Sequence, residues 1–322
     1  MFCLLANVNF CKAAEPQEEK FSGKPIVTVF TNFHAGFGEV KEERGFDLER
    51  AYLGYQFKYG DGFSGKIVFD VGSSGLDDAS LERIAYLKNA FLTYHAGGLE
   101  LNAGLITLEE AFLQEKFWNR RYIKQSFQYE YKYCSSADLG VLAKYAFSDA
   151  VSVDVACSNG EGYKKLNADK GMRYGAGITF SPSKNLTLRA YADLYEAPES
   201  VSDAKVQNAF SFFAGYKNER FRLGAEYNLL KNQKFIDNQD LHGISIYGDI
   251  KVCGETKIFA RWDQLTSPDD WNADKDGTFA LFGVEFAPQK HVKLSPNVRA
   301  WLPNSVASDA KIYAYLNLLF SL

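Results

Sequence analysis

Residues Lys311 to Leu322 place Ile312, Ala314, Leu316, Leu318, Phe320 and Leu322 at every second position, with Tyr313, Tyr315 and Asn317 between them. A period of two is the mark of a β-strand with one apolar face and one mixed face. The same rhythm, bounded by turn residues, predicts strands near 25–35, 46–59, 63–72, 86–96, 99–106 and 137–147. Others follow near 151–158, 172–181, 186–195, 207–216, 220–230 and 242–252, and the last near 255–264, 278–287, 291–301 and 310–321. That makes about sixteen.

The connections carry as much information as the strands. Those at 60–62, 97–98, 148–150, 182–185, 217–219, 253–255 and 288–290 are tight, and the ones between them are long. Short and long alternate throughout. An antiparallel barrel that crosses a membrane has this asymmetry, with short turns on one side and long loops on the other.

The two faces of each strand show which solvent lies where. Ala51, Leu53, Tyr55, Phe57 and Tyr59 share one parity, as do Leu139, Val141, Ala143, Tyr145 and Phe147. The same face continues through Tyr174 to Phe180, Leu186 to Leu194, Phe221 to Leu229 and Val292 to Ala300, without a charge. The opposite parity holds Arg50, Lys58, Asp138, Lys144, Arg173, Arg189, Asp193, Arg222, Glu226, Lys293 and Arg299. In a water-soluble sandwich the apolar faces would pack on each other, but sixteen strands exceed the usual size of such a sheet. The inverted arrangement, with lipid outside and a wet charged lumen, pairs every backbone group by closure. Tyr59, Phe147, Phe180 and Phe320 near strand ends suit aromatic girdles. Pro296 sits mid-strand without a donor, so a bulge or local break is expected there.

Composition narrows the function. A mean hydropathy of -0.25 with 15% aromatic residues fits alternating strands, and no run reaches the roughly 18 apolar residues of a spanning helix. A net charge of -4 argues against a nucleic-acid partner. Five scattered cysteines and four histidines imply neither a disulfide framework nor a metal centre. No catalytic or cofactor motif is present; a barrel lipase is the nearest enzymatic alternative, and the histidines form no recognisable set with a serine. The chain is expected not to be an enzyme and to need no cofactor. Residues 1–14 resemble the tail of an export signal lacking its basic start, and 15–24 form a polar linker ahead of the barrel at 25–322.

F-D-L-E-R-A-Y-L-G-Y (46–55) and F-S-G-K-I-V-F-D-V (63–71) resemble the first hairpin of porins of the phosphate-selective O/P type, on Phe46, Leu48, Arg50, Ala51, Leu53, Gly54, Phe63, Lys66, Phe69 and Asp70. E-K-F-W-N-R-R-Y-I-K-Q-S-F (115–127), S-S-A-D-L-G-V (135–141) and S-N-G-E-G-Y (158–163) are similar to the mid-chain signature of that family's anaerobe-type branch. The resemblance implies a general or anion-preferring, trimeric porin of a Gram-negative outer membrane, with lipid and lipopolysaccharide as surroundings. Ala137 stands where a basic residue is expected, so phosphate selectivity does not carry over.

The longest connection, 106–136, is dense in aromatic residues and contains Lys116, Arg120, Arg121 and Lys124. Folded inward, such a segment narrows a pore and its charges select ions. The candidate lining is Lys116, Arg120, Arg121 and Lys124 with the wall residues Arg50, Arg173, Arg189 and Arg222; the alternative is an external cap with solvated charges. Eight basic and three acidic residues at lumen parity on the clearest strands favour anions. Asp70, Asp154, Asp249, Asp263 and Glu285, against Lys66, Lys251, Lys257 and Arg261, dilute that excess. The acidic loop 269–277 has oxygen ligands at Asn272, Asp274 and Asp276, but Gly283 stands where a calcium loop needs Glu, so it reads as solvated. The expected function is passive diffusion of small hydrophilic solutes or ions. A plugged barrel with a structural or adhesive role is the alternative.

Overall fold

A computed structural model describes residues 20–73, 82–165, 170–305 and 308–322. The expected export signal at 1–14 lies outside them. Sixteen antiparallel strands close into one barrel in which each strand pairs with its neighbours in sequence and β1 pairs with β16. They are β1 (Phe21–Phe37), β2 (Arg44–Tyr59), β3 (Phe63–Ser73), β4 (Arg83–Ala96), β5 (Leu99–Thr107), β6 (Ala137–Ala146), β7 (Val151–Ser158) and β8 (Arg173–Phe180). There follow β9 (Leu186–Tyr195), β10 (Gln207–Lys217), β11 (Phe221–Lys231), β12 (Leu241–Cys253), β13 (Thr256–Thr266), β14 (Gly277–Gln289), β15 (Val292–Pro303) and β16 (Lys311–Ser321). The predicted strands are all present, and short and long connections alternate as expected. β1 begins at Phe21, so the last part of the expected linker is strand.

The inversion of faces is visible residue by residue. Leu53, Leu139, Val141, Ile178, Leu223 and Val298 are each 47–54% exposed on the outer wall, whereas the inward Asp138, Arg173, Arg189 and Glu226 are buried. Aromatic pairs ring the short-turn end: Phe63 with Tyr94 at 5.2 Å between centroids, Tyr145 with Phe147 at 4.9 Å, and Tyr216 with Phe221 at 5.3 Å. Such a belt suits a membrane interface, where the rings keep one edge wet and one face apolar.

Prolines sit where the ladder can spare a donor. Pro25 lies in the part of β1 that precedes Thr28 and so pairs only with β2. Opposite Pro296 the β14 ladder is interrupted, passing from Gly283–Asn297 to Phe286–Leu294, while Pro296 keeps its place beside Leu316 of β16. The register shift itself lies elsewhere, between Phe286 and Gln289, where Pro288 cannot donate.

Two bulges reverse parity along a strand. β1 Phe30 pairs with Arg50 and Thr31 with Leu48, leaving Glu49 unpaired; Phe46 and Leu48 are exposed on the outside before it, and Leu53 and Tyr55 after it. Glu49 and Arg50 therefore both turn inward. β4 repeats the device at Lys88, skipped between the Val68–Asn89 and Phe69–Leu87 pairs. A bulge re-aims side chains in this way because one extra residue shifts the pleat by one.

Candidate functional site

The segment between β5 and β6 enters the barrel rather than capping it. It contains α1 (Glu109–Trp118) and α2 (Phe127–Glu130). Glu109 and Glu110 stand in the first turn of α1 and Lys116 in the last, which complements the helix dipole, and Asn119 in the left-handed conformation ends the helix. Its apolar side chains need a surface to bury, and the inner wall supplies one. Trp118, Tyr122 and Ile123 pack with Phe213, Tyr247, Phe259, Phe279 and Leu281 into a core inside the barrel. The inner face is therefore apolar in places on β10 and β12 to β14, strands outside the clearest seven, where the inserted segment covers the inward apolar positions.

Glycine makes two of the contacts possible. A methyl group at Gly243 would overlap the ring of Phe127, and one at Gly215 the ring of Phe117. The polar anchors are equally specific. Arg120, 1% exposed, reaches Asp249 at 2.7 Å and Glu285 at 3.3 Å. Tyr122 donates to Glu285 at 2.7 Å, and its carbonyl accepts from Asn317 at 3.1 Å. Gln128 donates to Asn228 at 2.8 Å, and Arg261 to the Gln125 carbonyl at 2.6 Å.

Four of the eight predicted side chains are locked, three between segment and wall and Arg189 within the wall. Arg120 holds the two carboxylates just described. Arg173 joins Glu110 of α1 to Asp193. Arg189 makes a two-pronged contact with Asp154, at 2.6 and 2.9 Å. Arg222 donates to the Phe117 carbonyl at 2.6 Å and lies 3.8 Å from Asp249. Their charges are spent on these partners. Lys116 is exposed beside the ring of Phe112.

The remaining three, Arg50, Arg121 and Lys124, line open space. At the long-loop end a cavity of about 670 Å³ is bordered by Lys124, Glu130, Arg299, Trp301 and Tyr315. It shares Lys124, Glu130 and Arg299 with one of about 200 Å³ between Glu49, Arg50 and Arg121. Arg121 lies 3.2 Å from Glu115, which borders a third space of about 170 Å³ with Tyr52, Lys66 and Lys88. Lys66 then opens on a fourth, of about 600 Å³, at the short-turn end beside Lys24 and Lys58. The sequence of volumes is that of an hourglass. Its waist lies between the inserted segment, which contributes Phe112, Glu115, Arg121 and Lys124, and the wall at β1 to β5 and Arg299 of β15.

Charge in the waist is partly neutralised: Arg50 pairs with Asp70 at 2.9 Å, Arg121 with Glu115, and Lys124 with Glu130. Burial by itself raises the Glu130 carboxyl, but the Lys124 ammonium and the Arg261 guanidinium outweigh it and hold it below the usual carboxylate range. Lys66, Lys88 and Arg299 have no ion-pair partner among the described residues. Lys88 faces the ring of Tyr52 at 4.7 Å and Arg299 that of Tyr315 at 3.7 Å. Lys88 escaped the parity reading because the bulge turns it inward; the available signal was the switch of apolar positions from 85 and 87 to 90, 92 and 94.

In the loop 269–277 the Asp276 carboxylate is taken by the Ser267 amide at 2.6 Å and by Asn272 at 2.8 Å. Among the described residues no group of three His, Cys, Asp or Glu side chains is arranged to hold a metal.

The sequence matches no family model and no curated protein. Solved structures do match. OmpT of Vibrio cholerae with loop L8 deleted superposes with a TM-score of 0.68 at 15% identity, over 94% of this chain and 99% of that one. The outer membrane channel DcaP of Acinetobacter baumannii gives 0.67 at 14%, over 94% and 97%. Salmonella typhi OmpF, in complex with daunomycin, gives 0.68 at 10%, over 93% and 97%. At such identities the likeness is one of fold: the chain is a sixteen-stranded β-barrel with the fold of outer-membrane porins.

Proposed function

We propose that the protein is a passive diffusion channel of a Gram-negative outer membrane, admitting small hydrophilic solutes with a preference for anions. The observation that carries this reading is the hourglass of cavities from the long-loop mouth to the short-turn mouth, bordered at its waist by the unpaired Lys66 and Lys88. An unpaired cation in a narrow, partly desolvated passage raises the local anion concentration more than the same charge in open water. Passage is electrodiffusion past the inserted segment, with no cofactor, and the partners are lipid, lipopolysaccharide and two further copies of the chain. The resemblance to the phosphate-selective O/P porins over 46–163 supports the same class without extending to phosphate.

Planar-bilayer recording tests it. Porin-sized openings with a zero-current potential of anion-selective sign in a potassium chloride gradient are expected. An electrically silent, folded protein would instead support a plugged barrel acting through its long loops. Mass measurement of the detergent-solubilised protein checks the trimer.

A further inference from the structure

The long-loop mouth is built differently from the waist. Besides Lys124 and Arg299 it gathers Lys132, Lys234, Lys275 and Lys311 against only Glu130 and Asp274, and it sets these cations among Tyr131, Trp301, Tyr313 and Tyr315. Arg299 is its fixed point. Arg50, Arg120, Arg173, Arg189 and Arg261 each have a carboxylate within 3.3 Å. Arg299 instead rests on neutral amides: its Nε donates to Asn297 at 2.9 Å and its Nη2 to Asn317 at 2.6 Å. Those amides cannot turn round. The Asn317 nitrogen is occupied by the Tyr122 carbonyl, and the Asn297 nitrogen by the Ser295 carbonyl and the Asn317 oxygen. The guanidinium is thus positioned with no carboxylate of the described residues at ion-pair distance, stacked on Tyr315, with its remaining nitrogen unclaimed.

We infer that this mouth is a binding subsite for ring-bearing organic anions, the carboxylate meeting Arg299 and the ring lying among Trp301, Tyr313 and Tyr131. Neutral amides preserve the charge an anion needs, and aromatic faces in a cavity of about 670 Å³ suit a planar body rather than a bare ion. A neutral sugar would leave unmatched Arg299 and the mouth's other cations that are unpaired among the described residues, Lys132, Lys234, Lys275 and Lys311. The inference rests on the channel reading, since the subsite stands where solute enters the waist.

Isothermal titration calorimetry on the folded, detergent-solubilised barrel, with benzoate, acetate, inorganic phosphate and glucose as probes, reads the subsite without requiring conduction. Benzoate should bind about tenfold or more tightly than acetate or phosphate, with glucose showing no heat. Arg299→Gln should weaken benzoate by about tenfold, and Trp301→Leu should narrow the gap between benzoate and acetate. The Arg299→Lys variant guards against a folding defect and should keep part of the affinity. Equal binding of benzoate and acetate, tighter binding of phosphate, or unchanged benzoate affinity in a folded Arg299→Gln barrel would overturn the inference. In bilayers, openings that benzoate added on the long-loop side fails to interrupt would count against the subsite alone, whereas absence of openings with benzoate still bound would count against the channel alone.

Discussion

Arg120 and Asp249 meet at 2.7 Å across the barrel interior, joining the tip of the inserted segment to the wall at β12. Both side chains are almost wholly buried, so removing the guanidinium leaves Asp249 with only Arg222 at 3.8 Å and Glu285 with only Tyr122 and Lys293, short of charge compensation away from water. Arg120→Met is expected to destabilise the folded barrel by about 3–5 kcal/mol, read by urea unfolding in lipid or detergent. Single-channel current should also become noisier as the segment moves. Combining it with Asp249→Asn should recover part of the loss, since one stranded charge is then gone.

Glycine sockets make a sharper test of the same docking. A valine side chain at Gly243 would occupy the space of the Phe127 ring. Gly243→Val should leave the barrel closed, because the strand's backbone pairing with β11 and β13 does not use the side chain, yet displace α2. Conductance should change, and limited proteolysis should cut within 119–133 in the variant and spare that stretch in the wild type. Gly45→Val, where a side chain meets open space, is the control.

Selectivity should divide the basic residues into two groups. Lys66→Glu with Lys88→Glu places two negative charges in the waist and is expected to move the zero-current potential toward cation preference. Arg189→Met should alter stability far more than selectivity, because its charge is already matched by Asp154. Measuring both potentials in the same salt gradient separates charge that ions meet from charge that holds the fold.

Acid should loosen the segment at Glu130. Its carboxyl is held below its ordinary 4.5 by Lys124 and Arg261 in spite of burial, so the folded state binds its proton less readily than the unfolded chain. The contribution is therefore present above 4.5 and is lost as pH falls from there through the lower folded value. Current noise is expected to rise in that window. In Glu130→Gln the rise should be absent.

The outer wall offers a test of the inversion. Leu223→Arg puts a charge on a lipid-facing position that is 51% exposed, and should cost about 2–4 kcal/mol if it lies near the bilayer midplane. Ser245→Arg, on the inner face of β12, should instead fail through crowding against Asp263, to which Ser245 donates at 2.6 Å. Unfolding in lipid vesicles distinguishes the two.

The alternation in the sequence carried the strands, the side on which each connection is long, and the exposure of one whole face to lipid. These follow from local physics: the pleat repeats every two residues, and hydrocarbon tolerates no charge. Arg50, Lys66 and Arg299 could be placed at lumen parity on that basis. The sequence did not carry which charges are free. Arg120, Arg173 and Arg189 look the same as Arg299 along the chain, yet their carboxylate partners lie 20 to 165 positions away, and only strand pairing and the insertion of the segment bring those carboxylates within reach. Nor could a strict period of two find Lys88, because one skipped residue in β4 reverses the face. The tertiary structure decided where the inserted segment rests, and with it which side of the bore stays open. That outcome depends on wall glycines and apolar patches whose purpose is invisible until an aromatic ring from another part of the chain fills them.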